Sequence, residues 1–412
     1  MGNTVDARID GDRLWRDLMA MAKIGATPGG GSRRIALTEA DKQGRDLFVS
    51  WARAAGLQVR VDAIGNIFAR RPGTDAKAPP VLAGSHLDTQ PLGGRFDGVY
   101  GVLAALEVLR ALDDHSVKTR APLDAVVWTD EEGCRFAAGM VASGVFAGKV
   151  KLDDALRTAD PDGVTMGQAL ATIGYAGPEP VGGYPVAAYF EAHIEQGPIL
   201  EAEGRTIGVV LGAQSRRYFR VAVAGEEGHA GTLPMERRKD ALLGAARMVA
   251  ALNDVAFRFE PRPVITVGDL RVRPNSRNTV PGGCVFIIDS RHPDDAMLDR
   301  IEAAMRRACE EIASASGLGI AIEELSRSPA SRFDERCVAT VRQAAARLGH
   351  PHRDMHSGAG HDACNLAFKA PTGMIFVPCE RGVSHNETEN AKPRDLAAGA
   401  DVLLQAMVEW AG

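Results

Sequence analysis

No apolar stretch in this 412-residue chain approaches the ~18 residues of a membrane-spanning helix, so a bilayer is not an expected partner. A block rich in lysine and arginine is missing too. With a net charge of −5, the chain carries no electrostatic footprint for nucleic acid. The six cysteines (134, 284, 309, 337, 364 and 379) are scattered without Cys-x-x-Cys spacing. Neither a disulfide framework nor a zinc knuckle is expected from them. Met1 to Gly11 is polar and has no apolar centre, unlike a secretory signal. Repeats and low-complexity tracts are absent. These absences point to a protein of the reducing cytoplasm. An apolar share of 45% with 25% charge is ordinary for a globular fold, and the length exceeds one comfortable core, so two domains are expected.

Apolar spacing divides the chain into three blocks. From Asp12 to about Leu211, helical and strand-like segments alternate. Leu37 to Ala55 reads as an amphipathic helix, with Thr38 as N-cap and Asp41 as a weaker stand-in for the capping-box acid. Val59 to Asp62 and Ile67 to Ala69 read as strands joined by a turn at Gly65-Asn66. Pro80 to Ala83 and Leu123 to Trp128 are apolar runs of buried-strand type, with a helix from Val99 to Leu112 between them. In the second block, strands are expected at Tyr218–Ala224, Val264–Val272, Cys284–Asp289 and Gly319–Glu324. Helices at Asp240–Asn253 and Met297–Ala315 separate them in the order β-α-β-β-α-β, a ferredoxin-like unit. The third block holds a further apolar strand, Ile375 to Pro378. The expected architecture is therefore α/β with two domains. A catalytic domain made of residues 1–212 and 327–412 is interrupted by an insertion over residues 213–326.

Chemistry gathers where the apolar runs end. Gly84-Ser85-His86-Leu87-Asp88-Thr89, followed by Gly93-Gly94-Arg95-Phe96-Asp97-Gly98, sets a histidine and two acids between a strand and the next helix. An open α/β sheet assembles ligands for a hydrolytic metal in this way. Asp88, two residues from His86, shares its face in an extended chain and suits a role orienting the imidazole. The Leu123 run ends in Thr129-Asp130-Glu131-Glu132-Gly133. If the strand persists, the two glutamates face opposite ways, one toward metal and one toward substrate as a base. His193 closes the run that starts at Val186, and His385 follows the Ile375 strand. Single histidines are more often structural than ligating. These two stand where further ligands must come from if two divalent ions share a bridging carboxylate. His361, in Ser357-Gly358-Ala359-Gly360-His361-Asp362, is a rival ligand and ranks here as a substrate-loop residue.

The segments Gly84–Thr89, Gly93–Gly101, Glu131-Glu132-Gly133, His193-Ile194-Glu195-Gln196-Gly197 and Ser384-His385-Asn386-Glu387 resemble the M20 metallopeptidase family. Within it they resemble the amidase/hydantoinase/carbamoylase branch, which contains N-carbamoyl-L-amino acid hydrolases, allantoate amidohydrolases and β-ureidopropionases. The five motifs run in the family's order over nearly the whole chain. The resemblance implies two divalent ions per subunit (zinc, manganese, cobalt or nickel), held by His86, Asp97 as the bridge, Glu132, His193 and His385. It makes Glu131 the general base. Peptidase members carry an acid where this chain has His193, which favours the carbamoyl branch. Gln196 resembles the contact to the substrate's amide end, and Asn278 and Arg291 resemble the pair that grips its carboxylate. His229 resembles the histidine that enters the active site of the partner subunit, which implies a homodimer formed through the insertion. Closure of the insertion as a lid would complete the site.

The expected activity is metal-dependent hydrolysis of the carbamoyl (ureido) C–N bond of N-carbamoyl-L-amino acids, yielding L-amino acid, ammonia and CO2. Allantoate amidohydrolase and β-ureidopropionase are the alternatives. Asn278 and Arg291 suit allantoate as well, because it too carries a carboxylate that a guanidinium grips at two points. A module that only binds a small molecule or a protein is the remaining reading. Glu131 counts against it, since a binding module needs no base beside two metals.

Overall fold

The computed structural model describes residues 5–136 and 138–412; the first four residues of the polar N-terminal segment lie outside them. Two compact units emerge, residues 1–212 with 332–412, and residues 213–331.

The larger unit is built on a nine-stranded mixed sheet. Its strands lie in the order Gln58–Val61, Ile67–Arg71, Leu123–Trp128, Val81–His86, Ala188–Ile194, Thr372–Val377, Ile207–Ala213 and Ser331–Arg332, with His352–Ser357 also paired to Ile207–Ala213. The four central strands, from Leu123–Trp128 to Thr372–Val377, run parallel. Every residue of these four is buried. Strands covered on both faces read as continuous apolar runs rather than alternating ones, which is why they stand out in the sequence. The helices Val99–Asp114 and Pro393–Ala411 pack together and on the sheet. Around Trp128, the rings of Phe68, Phe146 and Tyr189 meet edge-on at 5.0–6.0 Å, and the indole N–H donates to the Tyr189 hydroxyl at 3.0 Å.

Local signals decide where elements start. Thr38 caps the helix Glu39–Ala54. Asp41 does not close a capping box on Thr38. Its Oδ2 accepts instead from the Leu37 N–H and from Arg45 Nε, both at 2.8 Å, because the buried guanidinium one turn on needs a counter-charge.

In the unit of residues 213–331, four antiparallel strands lie in the order Gly319–Ser328, Ser215–Ala224, Gly283–His292 and Val264–Arg273. The helices Ala241–Ala256 and Asp295–Ala315 pack on the sheet. Alternate strand residues Phe219, Val221, Val223, Phe286 and Ile288 are buried together with Ala245, Met248, Leu252, Leu298, Ile301 and Met305, each large side chain contributing about 1.5–3 kcal/mol. Several expected boundaries move, the first strand starting at Ser215 and the last running to Ser328. Asp294 caps the second helix by accepting from Met297 N at 2.8 Å, so it begins at Asp295 rather than Met297. The Gly283 strand continues to His292, which puts Arg291 inside the strand instead of beyond it. Among the described residues, no helix is long and apolar enough to cross a membrane.

Candidate metal centre

Four parallel strands deliver their C-terminal ends to one edge of the sheet, and the ligand candidates leave from there. His86 ends Val81–His86, and His193 stands one residue before the end of Ala188–Ile194. Asp130 to Glu132 follow Leu123–Trp128, and His385 follows Thr372–Val377. Asp97 sits at their meeting point. Its Oδ1 lies 3.2 Å from His193 Nε2 and 3.9 Å from His86 Nε2, and its Oδ2 lies 3.2 Å from His385 Nε2. Glu132 Oε2 is 3.6 Å from that same His385 nitrogen, and Glu131 Oε2 is 3.5 Å from His86 Nε2. Two donor groups, His86–Asp97–His193 and Asp97–Glu132–His385, share the Asp97 carboxylate, and a third, Glu191–His193–His361, shares His193 with the first.

The backbone is bent to make this arrangement. The Leu123 strand does not persist to the glutamates. Asp130 takes a left-handed φ of 57°, so a turn rather than strand alternation separates Glu131 from Glu132. Gln196 and His385 hold φ of 58° and 51°; such conformations cost energy and cluster at working sites. Gly98 has φ 68°, and a Cβ there would collide with the His86 ring.

Hydrogen bonds fix which imidazole nitrogens are available. His86 Nδ1 donates to the Asp88 carbonyl at 2.9 Å, and His193 Nδ1 donates to the Ile194 carbonyl at 2.9 Å. The Gly98 N–H donates to His193 Nε2 at 3.2 Å, which marks that nitrogen as an acceptor. Both rings present Nε2 to carboxylate oxygens, an arrangement that calls for positive charge between them. The electrostatics agree. Burial disfavours a charged His86, yet Glu131, Asp88, Asp97 and Glu132 raise it well above its ordinary value. Burial pushes Glu131 well above the carboxylate range, and burial with Asp97 nearby lifts Glu132 to about 7. Nitrogen and carboxylate donors crowded in this way fit divalent cations.

The model for peptidase family M20/M25/M40 matches residues 82–409. The chain belongs to this family. Enzymes of the M20 family are metal-dependent, in keeping with the donor groups. The chain is 49% identical over 408 residues to an N-carbamoyl-L-amino-acid amidohydrolase of Rhizobium meliloti, covering 98% of this chain and 97% of that one. It is 35% identical to the allantoate amidohydrolase of Escherichia coli, over 95% and 96% of the two chains. A solved amidase of the hydantoinase/carbamoylase family from Burkholderia multivorans is 55% identical and superposes with a TM-score of 0.96, covering 99% of each chain.

Around the donor groups stand residues that the motifs left without a role. Gln90 donates to Glu132 from its main-chain N–H at 3.1 Å and from its amide at 2.6 Å. Ser384 lies 3.3 Å from Asp97 Oδ2 and donates to the buried Glu389 at 2.9 Å. Only their adjacency to the His86 and His385 motifs could have flagged them. Asp88 holds the turn of the two glutamates. Its separate oxygens accept the N–H groups of Glu131 at 3.4 Å and Glu132 at 3.2 Å, while its carboxylate stays 3.9 Å from His86 Nδ1. Gln196 donates to Asp97 Oδ2 at 3.1 Å. His361 is buried behind the cluster. Its ring meets His193 edge-on at 4.6 Å and its Nε2 lies 2.8 Å from the Ser357 hydroxyl. Burial and His193 hold it well below the usual histidine range.

His229, Asn278 and Arg291 belong to the unit of residues 213–331. His229 is exposed and pairs across a short ladder with Thr279, next to Asn278. The Gly231 N–H donates to His229 Nδ1 at 3.0 Å, so the ring proton sits on Nε2 as an outward donor. Asn278 Oδ1 accepts from Ser276 at 2.7 Å. Arg291 and Asp289, two apart on one strand face, form an ion pair at 2.7 Å.

Proposed function

We propose that this chain hydrolyses the carbamoyl C–N bond of N-carbamoyl-L-amino acids, releasing L-amino acid, ammonia and CO2. The observation that carries the reading is the pair of donor groups sharing Asp97, with a histidine at position 193. The higher identity to the Rhizobium relative than to the allantoate amidohydrolase favours this substrate class over allantoate. His86, Asp97 as bridge, Glu132, His193 and His385 would hold two divalent ions, with zinc, manganese, cobalt and nickel all suited to the donor set. When bound, such ions polarise the scissile carbonyl and lower the pKa of water.

The chain's own groups do the rest. Glu131 takes the proton of the attacking water and returns it to the leaving nitrogen; its raised pKa suits that exchange. Gln196 contacts the amide end. Arg291 and Asn278 receive the carboxylate, with Asp289 holding the guanidinium in place. Residues 213–331, five residues longer than the insertion expected from the sequence, act as a ferredoxin-like lid and dimerisation domain inserted between the catalytic halves 1–212 and 332–412. In the homodimer, the donor on His229 of the partner subunit meets the developing oxyanion. None of the six cysteines is in a disulfide, which fits the cytoplasm. Chelation followed by metal reloading tests the reading: ammonia release from N-carbamoyl-L-methionine should vanish and return. Turnover untouched by complete metal removal would refute it.

A further inference from the structure

Glu389 is outside the proposed ligand set, yet it is completely buried between two loops that carry ligands. Its Oε1 accepts the main-chain N–H of Phe96 at 2.9 Å and of Asp97 at 3.1 Å. Its Oε2 accepts the Ser384 hydroxyl at 2.9 Å. One carboxylate thus ties the loop of Asp97 to the loop of His385. Arg95 adds a second tie by donating to Asn390 Oδ1 at 2.9 Å. A Cβ on Gly94 would collide with the Glu389 carboxylate, so only glycine lets the first loop wrap this closely around it.

The geometry points to Glu389 as a positioning residue of the metal centre, one that sets Asp97 and His385 at the spacing a shared ion requires. The inference rests on Asp97 and His385 being ligands. Three donors converge on Glu389, a pattern that suits an acceptor-only carboxylate. The Ser384 hydroxyl has a single proton. Spending it on Glu389 stops Ser384 from donating to Asp97 Oδ2, 3.3 Å away, and leaves that oxygen to Gln196 at 3.1 Å and His385 at 3.2 Å. Without Glu389, two main-chain N–H groups of a buried loop lose their acceptor, and the serine proton turns onto the bridging carboxylate. Partners that orient metal ligands typically change metal affinity by about 10–100-fold when removed.

Calorimetric titration of the metal-free full-length protein with Mn2+ alone tests this, using wild type, Glu389→Ala, Glu389→Gln, Ser384→Ala and Asp97→Asn. Glu389→Ala should bind at least one ion about 10–100-fold more weakly. Glu389→Gln keeps an oxygen for both N–H groups but turns an NH2 toward Ser384, so its loss should be smaller. Thermal melts of the metal-free proteins separate positioning from mere support of the fold. A lowered melting temperature with wild-type Mn2+ affinity in Glu389→Ala overturns the proposal, provided Asp97→Asn does weaken binding. If Asp97→Asn also binds as wild type does, the ligand reading itself has failed and the proposal falls with it. Should the alanine variant not fold, wild-type affinity in both Glu389→Gln and Ser384→Ala is the overturning result.

Discussion

Replacing Asp88 by asparagine perturbs the turn that carries Glu131 and Glu132 with almost no change of shape. The two Asp88 oxygens accept separate main-chain N–H groups, those of Glu131 and Glu132. Asparagine keeps one acceptor and turns an NH2 toward the other N–H, so one buried donor is left unsatisfied. That costs about 1–3 kcal/mol, which corresponds to roughly 5- to 150-fold in kcat/KM if it falls on the placement of the two glutamates. Stability should fall less than activity. Burial raises the Asp88 carboxyl above its ordinary range, so a neutral side chain relieves part of the desolvation cost. Steady-state kinetics at saturating metal, paired with a count of bound metal, decide the matter. The expected loss lies mainly in kcat, because Gln196, Asn278 and Arg291 are untouched. A kcat/KM within about twofold of wild type would refute the role given to Asp88.

Three further outcomes follow from the geometry. Glu131→Gln should keep its metal and lose about 10²- to 10⁴-fold in kcat; a fully active, metal-loaded variant would remove Glu131 as the base. Gly98→Ala forces a Cβ onto the His86 ring at φ 68°, a strain of about 1–3 kcal/mol, and should lower metal content, whereas full retention on dialysis contradicts that packing. Away from the site, burial pushes Asp62 up to about 6 despite hydrogen bonds from Asn66 and Ile64. Its folded value exceeds the ordinary 3.8, so its stabilising contribution is full below about pH 4 and is lost as pH rises through about 6. Denaturant titrations of wild type and Asp62→Asn should therefore diverge between pH 4 and 7 by on the order of 2–3 kcal/mol, the wild type losing relative stability. Parallel profiles would show that Asp62 does not titrate in that window.

The central strands were legible because burial on both faces leaves unbroken apolar runs, and the site candidates sit where those runs stop. What stayed hidden depends on backbone turns and on long-range contacts. Nothing in Thr129-Asp130-Glu131-Glu132 announces the left-handed Asp130 that ends strand alternation. Glu387 and Glu389 look alike in sequence, and only the fold brings the second against the N–H groups of Phe96 and Asp97, nearly 300 positions earlier. Arg291 read as a residue beyond its strand because the apolar pattern fades at Ile288, whereas the ladder pairing to Ser215 and Val264 runs on. His361 read as a substrate-loop residue from its glycine-rich surroundings; its burial against His193 and Phe376 depends on contacts distant in sequence.

Ammonia release by metal-loaded enzyme, measured side by side on N-carbamoyl-L-methionine, its D-enantiomer, N-carbamoyl-β-alanine and allantoate, tests the substrate claim most directly. Turnover of the L-carbamoyl acid far above the other three is the expected result. Turnover confined to allantoate or to N-carbamoyl-β-alanine would contradict it, while leaving the metal centre and Glu131 to serve a different ureido substrate.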